Sequence, residues 1–399
     1  MHKYLLAFCA SSVTPLCSAQ STTTIFGVID MSISRYTNSE RDLVTRRKTT
    51  KRLDALNQKN VGKSHLGFRS SEDLGGGLQL GIWLQAGTAV DDGSEGLDGF
   101  RDRSIVSLSG PFGEIRFGRD YTLAFGADSV IDPFVGFGNG VNLLSAANAL
   151  DPLGNPGGLG GIADYMRASN SASYLLPPNL GGFHGQLMYA LGEDDDAPGG
   201  SRSSRGRTKA DRYAGVGLAY ADGPLLLAGT YSRIKVGGGL RDASSDKVRF
   251  FTAIASYDFG IAKLVAEYSR SKASGGNDMT ASASTPLPDI GMRGYLAGLT
   301  VPVGAGMLRA SYARVRYDGL FAPGTLAGFG TPRVGKWAIG YVHNLSKRTA
   351  LYANLMRLTN HDGTRLSLAR PFYGSASAES VQRRPGTSTG FELGLRHFF

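Results

Sequence analysis

The chain carries 399 residues, among them 56 Gly, 17 Tyr and 19 Phe, with a formal net charge of +10 and two cysteines. No run after residue 20 approaches the ~20 consecutive apolar residues of a membrane-spanning helix. Mean hydropathy is a mild −0.13, so a helical membrane protein is excluded, whereas one that crosses with strands is not. No nucleic-acid motif accompanies the basic balance, so lipid phosphates or small anions are better expected partners than nucleic acid.

Residues 1–19 have the layout of a secretory signal: His2 and Lys3, an apolar run from Tyr4 to Ala10, then Cys17-Ser18-Ala19 before Gln20. Cleavage is expected after Ala19, which leaves 20–399 as one mature domain. A lipoprotein signal is disfavoured because Thr14-Pro15-Leu16 before Cys17 lacks the leucine three positions back. Cys9 and Cys17 both fall in this segment, so the mature chain has no disulfide to staple it.

Sixteen extended segments follow, near 22–35, 61–71, 77–89, 101–110, 113–121, 166–176, 182–191, 212–221, 224–235, 247–258, 261–272, 291–301, 305–316, 334–343, 348–358 and 388–399. Leu78, Leu80, Ile82 and Leu84 alternate with Gln79, Gly81, Trp83 and Gln85. Short Gly/Pro/Asp connections, such as Ala221-Asp222-Gly223, alternate with long polar excursions at 36–60, 90–100, 122–165, 192–211, 236–246, 273–290, 317–333 and 359–387. The expectation is an all-β fold: a transmembrane antiparallel β-barrel of 16 strands, with short periplasmic turns and long extracellular loops. A soluble propeller would need a fixed blade repeat, and none is visible. In the last strand Phe391, Leu393, Leu395 and Phe399 share one side, while Glu392, Gly394 and Arg396 share the other. An amphipathic final strand ending on Phe suits closure against the first strand.

Seven phrases in this order resemble the Gram-negative general porins, closest to the trimeric sixteen-stranded type of β-proteobacteria. They are TTTIFGVIDMSI (22–33), SHLGFRSSEDLGGGLQLGIWLQAG (64–87), SIVSLSGPFGEIRFGRDYT (104–122), NSASYLLP (170–177), YDFGIAKLVAEY (257–268), YVHNLSKRTALYANL (341–355) and GFELGLRHFF (390–399). The resemblance implies a homotrimer in the outer membrane, each barrel narrowed by an inward-folded third loop that faces a basic wall. It also implies that the strand with Phe391, Leu393, Leu395 and Phe399 is read by the outer-membrane assembly machinery.

The third loop, 122–165, holds Asp128, Asp132, Asp151 and Asp164 and no Lys or Arg. Folded inward, Asp128 and Asp132 are expected at the constriction. The facing wall is expected from His65 and Arg69 on the second strand, Arg101 and Arg103 at the start of the fourth, and Arg116 on the fifth. Arg167 opens the sixth strand and, by resemblance, matches a constriction arginine. Arg119 belongs to the same wall although it is out of phase with Arg116. The run Arg46-Arg47-Lys48 with Lys51 and Arg52 is expected at the outer rim, against lipopolysaccharide phosphates. Glu193 to Asp196 has no EF-hand spacing after it, and Gly158 to Ala163 lacks a strand–helix context. The histidines have no zinc spacing, so neither cofactor nor metal is expected.

The function expected is passive diffusion of small hydrophilic solutes with anion preference; a substrate-specific outer-membrane channel is the alternative. An embedded hydrolase would need a nucleophile with an oriented base, and no local signature of one appears. An adhesin favours a smaller, plugged lumen, and a plugged transporter needs about 22 strands.

Overall fold

The computed structural model describes residues 21–58, 63–93, 99–134, 142–149, 165–192, 212–236, 246–274, 289–318, 330–368 and 383–399. Segment 1–19, Asp151, Asp164, Gly158 to Ala163 and Glu193 to Asp196 lie outside them. The strands are β1 (Ser21–Asp42), β2 (Lys48–Gln58), β3 (His65–Gly75), β4 (Leu78–Gly87), β5 (Arg103–Gly110) and β6 (Gly113–Tyr121). After helices α1 (Leu123–Ile131) and α2 (Leu143–Ala149) come β7 (Arg167–Leu175), β8 (Phe183–Ala190), β9 (Arg212–Asp222), β10 (Leu225–Val236), β11 (Asp246–Asp258) and β12 (Lys263–Ser274). The last five are β13 (Ile290–Val303), β14 (Gly306–Asp318), β15 (Arg333–Asn344), β16 (Thr349–His361) and β17 (Arg383–Phe398).

Every strand from β3 to β17 pairs antiparallel with the next, and β17 pairs back onto β1. The strand β2 is a departure from expectation, since 36–60 was read as loop. It pairs with Met31–Arg41 of β1, while β3 pairs with Ser21–Val28. The two lie end to end along β1 and share one place in the wall, so the closed ring has sixteen positions. At ~3.3 Å per residue the 22-residue β1 is roughly 70 Å long, and its upper half rises with β2 as a hairpin.

The two faces are inverted relative to a water-soluble sheet. Ile33 is 71% exposed and Leu218 63%, on the outer face, while Asp30 and Glu392 on the inner face are 0% exposed. Apolar side chains outward and polar side chains inward is the arrangement a barrel needs in lipid. Inside the lumen, Tyr36 donates to Glu392 at 2.8 Å and Asn354 donates to its other oxygen at 3.1 Å.

The third loop folds into the lumen. Thr122 caps α1 by accepting from the Phe125 N–H at 3.3 Å. Ile131, Phe134, Leu143 and Leu144 pack on the inward residues Ile254, Val265, Met292, Leu296 and Val315, forming an apolar core inside the barrel. Its described helices α1 and α2 thus lie on one side of the lumen, over β9–β14.

The β1–β17 seam is completed by Phe399. The Phe399 N–H donates to the Gly27 carbonyl at 3.1 Å, and the Gly27 N–H donates back at 3.2 Å. The Phe399 ring covers Gly27, where an added Cβ would stand 2.2 Å from the ring and 2.7 Å from the His65 carbonyl oxygen. Because one obstacle is backbone, overpacking here is expected to cost ~1–3 kcal/mol. Gly27→Val should therefore lower the fraction of compact, unheated barrel on a denaturing gel; an unchanged fraction would show that the seam does not need this glycine.

Candidate pore constriction

Alternation from the outward Ile82, Val106 and Phe117 turns Arg69, Trp83, Arg103 and Arg116 toward the lumen on β3, β4, β5 and β6. There they form a ladder of cations and rings. The Arg69 guanidinium lies 5.1 Å from the centre of Trp83, and Arg103 lies 4.8 Å from the same ring. Arg103 is also 5.1 Å from Tyr121, and Arg167, from β7, is 5.1 Å from Tyr121. Each cation–π contact contributes about 0.5–2 kcal/mol. More to the point, it fixes long side chains that would otherwise sweep through the pore.

Carboxylates fix the other edges. Asp120, 2% exposed, accepts from Arg103 Nε at 2.7 Å and lies 3.5 Å from Arg116 Nη1. Arg116 forks onto Glu114 at 2.9 and 2.8 Å, a bidentate geometry that leaves little freedom. Asp102, also 2% exposed, is held between Lys63 and Arg167, the latter at 3.0 Å. Among the described residues Arg69 has no carboxylate partner, and it is exposed to the lumen. The wall thus sets five basic groups, Lys63, Arg69, Arg103, Arg116 and Arg167, against three carboxylates, Asp102, Glu114 and Asp120.

The remaining expected residues are placed differently. His65 faces inward beside Phe26, ring centres 6.0 Å apart, with Nδ1 2.7 Å from the Lys63 carbonyl oxygen. Arg101 precedes β5 and is exposed; its carbonyl accepts from Arg119 at 2.7 Å. Arg119 pairs with Ser104, on the outer face that carries Val106 and Phe117, and bonds Ser169 at 2.6 Å. Alternation is the cause: with Phe117 outward, Arg119 also faces out and Asp120 faces the lumen. The register shift between β6 and β7 puts its extra residue on β7, where Ser169 and Asn170 stand against Arg119. Gly118 has φ +125°, and a Cβ there would meet the Ser104 carbonyl oxygen at 2.1 Å, so only glycine fits.

The two loop aspartates point into the loop–wall contact, not across the water toward the arginines. Asp128, 0% exposed, accepts from the hydroxyls of Ser145 and Tyr165. Asp132, 6% exposed, accepts from the N–H groups of Phe134 at 3.0 Å and Asn142 at 2.9 Å. They tie the loop to itself and, through Asn142 donating to Glu267, to β12. Sequence reasoning missed the rungs Trp83 and Tyr121 and the carboxylates Asp102 and Asp120. It also missed Arg309 on β14 and Lys336 on β15, buried on the opposite wall at 7% and 6% exposure.

A closed barrel with a lipid-facing belt, a polar lumen and a loop narrowing it defines an outer-membrane pore. The chain belongs to the Gram-negative porin family, which it matches over residues 5–363. It is 34% identical to outer membrane porin protein 32 of Delftia acidovorans across the whole of both chains. It is 26% identical to an outer membrane porin of Bordetella pertussis, over 96% of this chain and 95% of that one. The anion-selective porin from Comamonas acidovorans superposes with a TM-score of 0.67 at 30% identity, covering 95% of this chain and 100% of the other. The trimer form of OmpT from Vibrio cholerae, at 13% identity and TM-score 0.59 over 95% and 99% of the two chains, shares the fold. The protein is accordingly an outer-membrane diffusion channel.

Burial pushes the Asp128 carboxyl up to about 6, with the Ser145 and Tyr165 hydroxyls pulling it back. An Asp is ordinarily near ~3.9 unfolded, so the folded chain holds this proton longer. Its contribution to stability is full below about pH 4 and is lost as pH rises through about 6. Asp128→Asn fixes the neutral state and is expected to shrink the difference in unfolding midpoint between about pH 4.5 and about pH 7.5, with little effect on ion preference. An undiminished difference would place the titrating group elsewhere.

Proposed function

We propose that residues 20–399, freed of 1–19 as a signal segment, form a homotrimeric channel that passes small hydrophilic solutes with a preference for anions. The observation that carries this is the ladder Arg69–Trp83–Arg103–Tyr121–Arg167, which holds surplus positive charge on one lumen wall. Among the described residues, the acidic groups of the third loop, Asp128 and Asp132, are buried away from that wall. The anion-selective relative supports the ion sign, and the trimeric relative supports the assembly. Charge at a constriction acts within the ~8 Å screening length of physiological salt, so dissolved ions do not cancel it. The exposed Arg46, Arg47, Lys48, Lys51 and Arg52 at the top of the β1–β2 hairpin suit lipopolysaccharide phosphates. The outward row Phe391, Leu393, Leu395 and Phe399 suits reading by the assembly machinery.

Planar-bilayer recording in a salt gradient tests the reading: three-step insertions and an anion-sided reversal potential are expected. Replacing Arg69 and Arg167 together by Gln should move that potential toward cations, whereas neutralising Arg46, Arg47 and Lys48 should have a smaller effect that fades with salt. A wild-type channel that prefers cations would reject the ion sign and leave the barrel standing. For assembly, Phe398→Ser with Phe399→Ser should sharply reduce surface levels in cells; normal levels would sink the role given to the terminal strand.

A further inference from the structure

Lumen positions in a barrel are ordinarily polar, and Ser32, Ser34, Ser269, Ser271 and Glu392 follow that rule here. Besides the apolar patch on which the third loop packs, a second sector departs from it. A single row of paired inward residues crosses β8 to β11 as His184, Ala219, Ala228 and Ile254, and Leu226 lies one step nearer the short turns. Helix α1 lies above this sector, against β9, β10 and β11. Between helix and strands is a cavity of about 340 Å3. Its apolar side includes Leu123, Val130, Leu226 and Ile254, and its polar end includes Arg103 and Arg116.

Small side chains create the recess. A Cβ on Gly217 would still meet nothing nearer than Thr230 at 3.5 Å, so the space is real and not filled by packing. Val130 projects from α1 with 65% of its surface exposed, although the rest of the helix buries Leu123, Ala124, Phe125 and Ile131. Wetted apolar surface is disfavoured by ~25 cal/mol per Å2, and at that exposure Val130 adds little to docking the loop. A concave apolar wall with cations at one end has the composition of a small-molecule site, and its volume falls within the usual ~300–1,000 Å3. Asp120 and Glu114 occupy only part of the donor forks of Arg103 and Arg116, so each guanidinium keeps N–H groups for another acceptor.

We infer that this recess is a binding station for small amphipathic carboxylates, those with an aromatic or branched apolar body. The body lies against Val130, Leu226 and Ile254, and the carboxylate reaches Arg103 and Arg116. This rests on the anion-preferring reading and goes beyond it, since a general anion path needs no apolar wall.

The test is chloride current through single reconstituted channels, titrated in parallel with benzoate and with acetate, once the ion sign has been measured. Benzoate is expected to reduce the current at about tenfold lower concentration than acetate, the difference reflecting burial of its ring. Val130→Asn should bring benzoate to the acetate level, and Val130→Leu should keep the two apart; the exposure of Val130 lets either side chain fit without moving α1. Equal effects of the two anions on the wild type, or an undiminished difference in Val130→Asn, would overturn the station. A cation-preferring channel that still separates the two probes would keep the station and reject the ion sign, so the two failures are distinguishable.

Discussion

Everything in this molecule follows from the need to satisfy backbone N–H and C=O groups where no water reaches them. In lipid each unmet group costs several kcal/mol, so the sheet must end by meeting its own beginning. The β1–β17 ladder makes that junction, and the reciprocal Gly27–Phe399 bonds finish it. Once the ring is closed, the outer face is free to be apolar, and the inner face must carry the charge and the hydroxyls. Asp30 and Glu392 can sit at zero exposure only because Tyr352, Tyr36 and Asn354 donate to them across the lumen wall.

The closed wall in turn permits a second core within it. The third loop brings its own apolar side chains into the lumen and buries them on β9–β14, so half of the pore is packed like a soluble domain. The arginines stand on a different wall, that of β3–β7, away from α1 and α2. Among the described residues the lumen is therefore asymmetric: on one side are helices whose Asp128 and Asp132 are turned into the loop–wall contact, on the other a rank of guanidiniums held at fixed angles.

Much of this was legible in the sequence. Period-two alternation and short Gly/Pro/Asp turns gave the strands because lipid on one side and water on the other enforce the period. The same logic placed Arg69, Arg116 and even Trp83 on the polar face, although the ring was not recognised as a partner for arginine. Where neither lipid nor packing enforces the period, the signal fails. Residues 48–58, KTTKRLDALNQ, are mostly exposed on both faces, so nothing in them reads as a strand; only the ladder offered by β1 makes them one. Arg119, an odd number of residues from Arg116, falls on the outer face because alternation holds to the end of β6 and is not relaxed there. Asp128 and Asp132 were assigned from the one-sided charge of 122–165 and from the resemblance, and neither reveals which side of a loop faces water. Asp102 and Asp120 were hidden among the arginines they hold.

The plain alternation of β6 turns Arg119 out of the lumen and Asp120 into it, so one anion stands within the rank of cations. Without Asp120 the wall would lose its clamp on Arg103 and Arg116, leaving two long cationic side chains freer to move about in the passage. The pore would then carry more charge but have no defined width. As built, its edge is as stiff as the sheet behind it, so the size limit for a passing solute is set by covalent geometry and fixed rotamers instead of by the time-average of flexible arms.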